Sequence, residues 1–137
     1  MNPIIESLRA YGESNRWSVG GGPVQQLTAR KLEFPLLWHE PLSLTGKKGL
    51  TEGTLHYKAV FHLLERTDGN QTDANEQPER LEKRALEAIA TLENHSRVRT
   101  INLVSCIPAR SPLTQYGETA VTVTVEAEIL YWSNPVS

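Results

Sequence analysis

Thr119–Trp132 reads TAVTVTVEAEILYW, and along it Val121, Val123, Val125, Ala127, Ile129 and Tyr131 alternate with Thr122, Thr124, Glu126, Glu128, Leu130 and Trp132. A period of two kept up this long gives a strand with one apolar and one largely polar face. The β-branched run 121–125 suits a pleated surface, and the length makes this a principal strand of its sheet.

The segment before it has the same character. Val98, Thr100, Ile101, Leu103, Val104, Cys106 and Ile107 lead as an extended run to Pro108. The connection 108–118, PARSPLTQYGE, is broken by two prolines and Gly117. Upstream, residues 76–94 read as a helix with Pro78 in its first turn; Leu81, Ala85, Ala88, Ile89 and Leu92 form its apolar stripe and Leu86 lies at the margin. Glu76–Arg80 and Glu79–Lys83 are i,i+4 pairs in the favourable order.

Another strand is predicted over 54–65, TLHYKAVFHLLE. Leu55, Tyr57, Ala59, Phe61 and Leu63 share one face, and His56, Lys58, Val60, His62 and Leu64 share the other, so both sides are candidates for cover. Leu32, Phe34, Leu36 and Trp38 alternate over 31–38. Pro35 cannot donate to a ladder, which assigns that strand to an edge or a bulge. Near the start, Asn2 caps a short helix with Pro3 in its first turn and Ile4, Ile5, Leu8 and Tyr11 on one side, and Gly12 is a natural stop. Residues 13–23, 40–53 and 66–75 read as loops, the first and last of them mobile. The expected chain is α-β-β-α-β-β: one α+β domain over 1–137, with two helices against a mixed or antiparallel sheet of about four strands.

Composition narrows the function classes. With 137 residues the chain can bury about two thirds of its unfolded surface. A formal charge of -2 argues against bulk attraction to nucleic acid or anionic membrane. Cys106 is the only cysteine, which excludes an intramolecular disulfide framework and fits a reducing compartment. MNPIIESLRAYG lacks the pattern of a secretory signal, and no apolar run approaches the ~18 residues of a membrane span. The expectation is a soluble protein folded in the cytoplasm.

No chemistry is spelled out. His56 and His62 share a strand face but are about 20 Å apart along it, too far for one metal ion, and His39 and His95 add no ligand spacing. Gly20-Gly21-Gly22-Pro23 lacks the helix start and Lys-Ser/Thr pair of a phosphate cradle, and Gly46-Lys47-Lys48 lacks the rest of a P-loop. Asp68-Gly69-Asn70-Gln71-Thr72 with Glu79 imitates a calcium loop, but Asp73 stands where the turn needs glycine. Cys106 in an apolar run reads as a small hydrophobe, and Glu126 and Glu128 as solvated neighbours. Lys47-Lys48 with Arg30-Lys31 could form a small basic patch or simply lie in solvated loops. Hence no catalytic, cofactor or metal residue is assigned, no cofactor is expected, and the chain is not read as an enzyme.

The order of elements, and the way FPLLWHEP, LHYKAVFHLLER, ERLEKRALEAIATL and AVTVTVEAEILYW are written, resembles the tail-terminator (tail-completion) proteins of long-tailed bacteriophages. The resemblance spans roughly residues 30–132 and is one of pattern, so no site residue is carried over. It implies a small α+β subunit of a homo-oligomeric ring that caps the tail tube and joins it to the head, made in the host cytoplasm and carried in the virion tail. Its partners would be the tail tube or head–tail connector proteins, without nucleic-acid specificity and without a membrane. Trp17, Trp38 and Trp132 are then either interface anchors or core plugs. The rival reading is a small α+β ligand-binding or enzymatic domain with a pocket between sheet and helix.

Overall fold

The computed structural model of the protein describes residues 2–28, 31–49, 52–66, 76–109, 112–114 and 116–132, with the Trp132 side chain outside that description. Its centre is an antiparallel pair of long strands. β4 (Glu52–Glu65) runs beside β6 (Thr119–Trp132) in unbroken register from Glu52↔Trp132 to Glu65↔Thr119. β5 (Val98–Pro108) pairs with the far side of β6, and β2 (Leu36–His39) and β3 (Ser43–Lys48) share the far side of β4. β1 (Ser18–Gly21) adds to β2 in parallel. The result is a six-stranded mixed sheet in the order β1-β2-β4-β6-β5, with β3 off that path on β4. The architecture is α+β, as the patterning predicts.

One face of the sheet carries both helices, α1 (Pro3–Asn15) and α2 (Glu76–Glu93). The alternation in β6 sets this face: Val121, Val123 and Val125 are fully buried, with Ala127 and Ile129 nearly so. Against them stand Ala59, Phe61 and Leu63 of β4 and Leu81, Ala85, Ala88 and Leu92 of α2. Each large side chain buried here contributes about 1.5–3 kcal/mol, so this layer supplies most of the driving force. Leu86 stays half exposed, as its place at the margin of the stripe requires.

α1 continues past its expected stop. Gly12 is a buried helical residue, and the helix ends at Arg16, whose left-handed φ of 62° closes the last turn while Trp17 N–H donates to the Gly12 carbonyl at 2.8 Å. Gly12 serves packing instead of termination: a Cβ there would meet Val19 Cγ2 at 2.2 Å, so glycine lets α1 lie directly on β1. The two helices are tied by the Tyr11 hydroxyl, which donates to Glu87 Oε1 at 3.0 Å while Arg84 Nη1 donates to the same oxygen at 2.9 Å.

Two segments expected as loops are strands. In 13–23, β1 was hidden because glycine leaves no alternation to read. The bare backbone has a use: Gly20 and Gly21 lie opposite Trp38 and His39, whose rings occupy the space a Cβ would need. In 40–53, β3 turns back on β4 through Gly49, at φ 94°, and its largely polar, exposed residues carry no buried face to betray it. β2 is shorter than the predicted 31–38 and lies inside the sheet between β1 and β4, not at an edge; Pro35 sits just before it, where its carbonyl accepts from Ser18 N–H at 2.9 Å and its missing N–H falls outside the strand. Arg80 of α2 reaches across to Glu65 of β4 at 3.4 Å. The expected loop 66–75 and the calcium-like positions within it fall, apart from Arg66, outside the described residues. Among the described residues no helix is long and apolar enough to cross a membrane.

Phe61→Ala removes the largest side chain at the floor of this layer, and a loss of about 3–5 kcal/mol in denaturant unfolding is expected; a loss under ~1 kcal/mol would mean the layer is loosely packed. Tyr11 provides a second check. Burial, reinforced by the Glu87 carboxylate, pushes its phenol up to about 12 from 10.0. The folded value lies above the unfolded one, so its contribution is intact below pH 10 and is lost as pH rises toward 12. Absorbance titration should show one tyrosine ionising late, and Tyr11→Phe should abolish both that component and the matching fall in stability.

Candidate functional site

The chemistry-bearing side chains collect on the sheet face opposite the helices. Register places His56, Lys58, His62 and Leu64 of β4 beside Glu128, Glu126, Thr122 and Ala120 of β6, with Thr100, Asn102, Ser105 and Ile107 of β5 flanking them. Among the described residues this face is covered at one end. There a second apolar cluster of Leu27, Leu36, Trp38, Leu64 and Ala120 is roofed by Val24, Leu32, Phe34, Ala109 and Leu113. Glu118 holds the roof, accepting from the backbone N–H groups of Leu113 and Thr114 at 2.8 and 3.0 Å and from the Thr114 hydroxyl.

Under the edge of that roof lies a relay that sequence reasoning missed. His62 is nearly buried; its Nε2 is 2.7 Å from Glu40 Oε2 and its Nδ1 is 2.9 Å from Thr122 Oγ1. With the carboxylate accepting from Nε2–H, Nδ1 is left to accept from the Thr122 hydroxyl. Hydroxyl, imidazole and carboxylate stand in the order used for nucleophilic catalysis. Thr122 is mid-strand between β4 and β5, so among the described residues the backbone N–H groups of its neighbours in these strands are committed to ladders and are not oxyanion donors. The relay fastens the segment after β2 to the middle of the sheet. Only the pairing Trp38↔His62↔Thr122 brings these residues together, and no spacing along the chain announces it.

At the other end the face is open. Thr45, His56, Thr100, Asn102, Glu126 and Glu128 line a depression of about 280 Å³. His56 Nδ1 faces Glu128 Oε1 at 3.8 Å with both side chains partly exposed, a contact of little energetic weight. Glu126 and Glu128 do share a face, as predicted, and Glu126 is solvated.

The other candidates scatter. His39 is half-buried, and burial, with Arg9 nearby, holds its imidazole below the usual value. His95 Nε2 faces Glu6 Oε2 at 3.6 Å, far along the chain from the other histidines, and its Nδ1 accepts from Arg97 N–H at 3.0 Å. Among the described residues no group of three or more His, Cys, Asp or Glu is arranged to hold a metal. Cys106 is only half-buried instead of the core residue expected; burial, with Glu82 adding, pushes its thiol up and keeps it a poor nucleophile. Lys47 lies 4.9 Å over the Tyr131 ring, and of the possible basic partners Arg30 is outside the described residues. Trp17 and Trp38 are 8% and 1% exposed, which makes them core residues and removes them as interface anchors.

What remains exposed and apolar is concentrated at the sheet edges. Leu103, Val104 and Ile107 of β5 are 45–59% exposed, and Leu44 of β3 is 58% exposed. Set against known proteins, the chain matches no protein-family model and no curated sequence.

The relay makes a stability prediction. His62→Ala orphans a carboxylate and a hydroxyl, and a loss of about 1–3 kcal/mol is expected in chemical denaturation, with Glu40→Gln, which keeps an acceptor, milder. Equal stability for His62→Ala and the unaltered chain would show that the relay fastens nothing.

Proposed function

We propose that this chain is a phage- or prophage-derived structural assembly protein, a tail terminator or related head–tail connection component that acts as a ring on the tail tube. It would be made in the host cytoplasm and end in the virion tail. The observation that carries the reading is the placement of exposed apolar side chains: Leu103, Val104 and Ile107 lie along one sheet edge and Leu44 at the other. A subunit that works by contact needs such surfaces. The α+β architecture of two helices on one face of a mixed sheet supports it as well, being the build that the resemblance implies.

The rival, a small ligand-binding or enzymatic domain, draws on the depression lined by His56, Asn102, Glu126 and Glu128. That depression is on the open face, not between sheet and helix where the rival would put its pocket. NMR titration with small polar ligands separates the readings, since saturable shifts confined to these residues would favour the rival.

The expected behaviour in isolation is a weak, concentration-dependent oligomer that tail tubes stabilise, because a standard interface of ~1,600 Å² still loses much of its gain to ordering. Light scattering across a concentration series, with and without polymerised tubes, tests it. A strict monomer that ignores tube ends overturns the assembly reading.

A further inference from the structure

We propose that acidification loosens one seam of the fold, the contact of α1 with β1 and β2, and that His39 is the group that opens it. Leu37 and His39 of β2 share the helix face, since Leu37 belongs to the core under the helices while Trp38 between them lies in the cluster on the other face. β1 runs beside β2 with Gly21 opposite His39, and the imidazole fills the space that a Cβ on Gly21 would need. The ring is thereby held half-buried where α1 meets the edge of the sheet, two residues along β1 from the Val19 on which Gly12 of α1 rests.

The surroundings of the four histidines separate this one from the rest. His56 faces Glu128, His62 faces Glu40 and His95 faces Glu6, so a proton gained at any of those three meets a carboxylate. His39 meets a cation instead. From α1 comes Arg9, with Glu13 a turn further on in a depression that Arg9, Trp17 and Val19 also line. β1 and β4 set only Gly21 and Phe61 opposite the ring. In its own segment Glu40 follows directly, but that carboxylate is turned to the other face and bonded to His62 at 2.7 Å, so that only the Glu40 backbone favours a charged His39.

The sign follows from these neighbours. Burial and, after it, Arg9 hold the His39 imidazole below the usual 6.5. With the folded value below the unfolded one, a locally opened state takes up the proton first. The seam is intact above pH 6.5 and weakens as pH falls below it toward the folded value.

Opening is local because the seam lies at a weakly held border. β1 is the outer strand there, four residues long with two glycines, and has few side chains to fix it. α1 is anchored away from it as well, by Tyr11 bonded to Glu87 of α2 and by Glu6 facing His95, and acid leaves the second of these with an added attraction. Trp17 joins α1 to β1, and its N–H, bonded to the Gly12 carbonyl at 2.8 Å, reports whether the seam is closed.

The test uses the full chain and NMR. Protection of the Trp17 N–H, corrected for the intrinsic pH dependence of exchange, should fall about fivefold from pH ~7.5 to pH ~5.5, while the Val123 N–H in the central ladder keeps its protection. Ring-proton titration of the unaltered chain should show His39 charging below pH 6.5, at the acid end of that fall. His39→Gln should hold the Trp17 protection level over the same range. A fall that persists in His39→Gln, an equal fall at Val123, or a His39 ring that charges at pH 6.5 or above overturns the proposal.

Discussion

The ladder between β4 and β6 is the constraint on which the other elements depend. Its register runs unbroken from Glu52↔Trp132 to Glu65↔Thr119. Antiparallel pairing over that length forces the apolar residues of both strands onto one face, because a slip of one residue would turn every side chain over. Phe61 then stands by Val123 and Ala59 by Val125, and these residues form the floor on which the helices pack. The same register puts His62 next to Thr122 on the opposite face.

The two faces are then finished unequally. The helix face is sealed by amphipathic stripes, and Gly12 lets α1 come down onto β1. On the other face neither α-helix packs, and among the described residues a 3-10 turn at Val24–Thr28 with Leu32, Phe34, Ala109 and Leu113 covers the end where Trp38 and Leu64 lie. Beyond that roof the strands must carry residues at ease in water, which is why Thr124, Glu126, Glu128 and His56 occupy it. Half-cover has a structural consequence too: the junction needs a polar fastening, and the bonds from His62 to Glu40 and Thr122 supply one.

Edges are the third feature of the design. An open sheet of this kind has no closure to protect its outer strands, and here both β5 and β3 are irregular where they face outward. Bulges keep an edge from pairing with whatever strand comes near, yet the exposed leucines, valine and isoleucine on those edges keep an affinity for apolar surface. A protein combining the two is set up for selective contacts of modest strength.

Much of this was legible in the order of residues alone. Strict alternation over 121–131 and the 3.6-residue stripe over 81–92 settled β6 and α2, because each encodes burial on one side of a regular element. The class followed from their sequence along the chain. Elements without such a code were not legible: β1 is half glycine, and β3 is exposed, so neither carries a periodic signal. Gly12 looked like a terminator, since the reason for glycine there is a side chain, Val19, that only folding brings to it. Trp17 and Trp38 could be weighed as core or interface from composition, but burial decided between them. The Glu40–His62–Thr122 relay and the apolar edges belong entirely to the tertiary structure, because they join residues on different strands whose proximity is a matter of register, and register is set by the whole sheet.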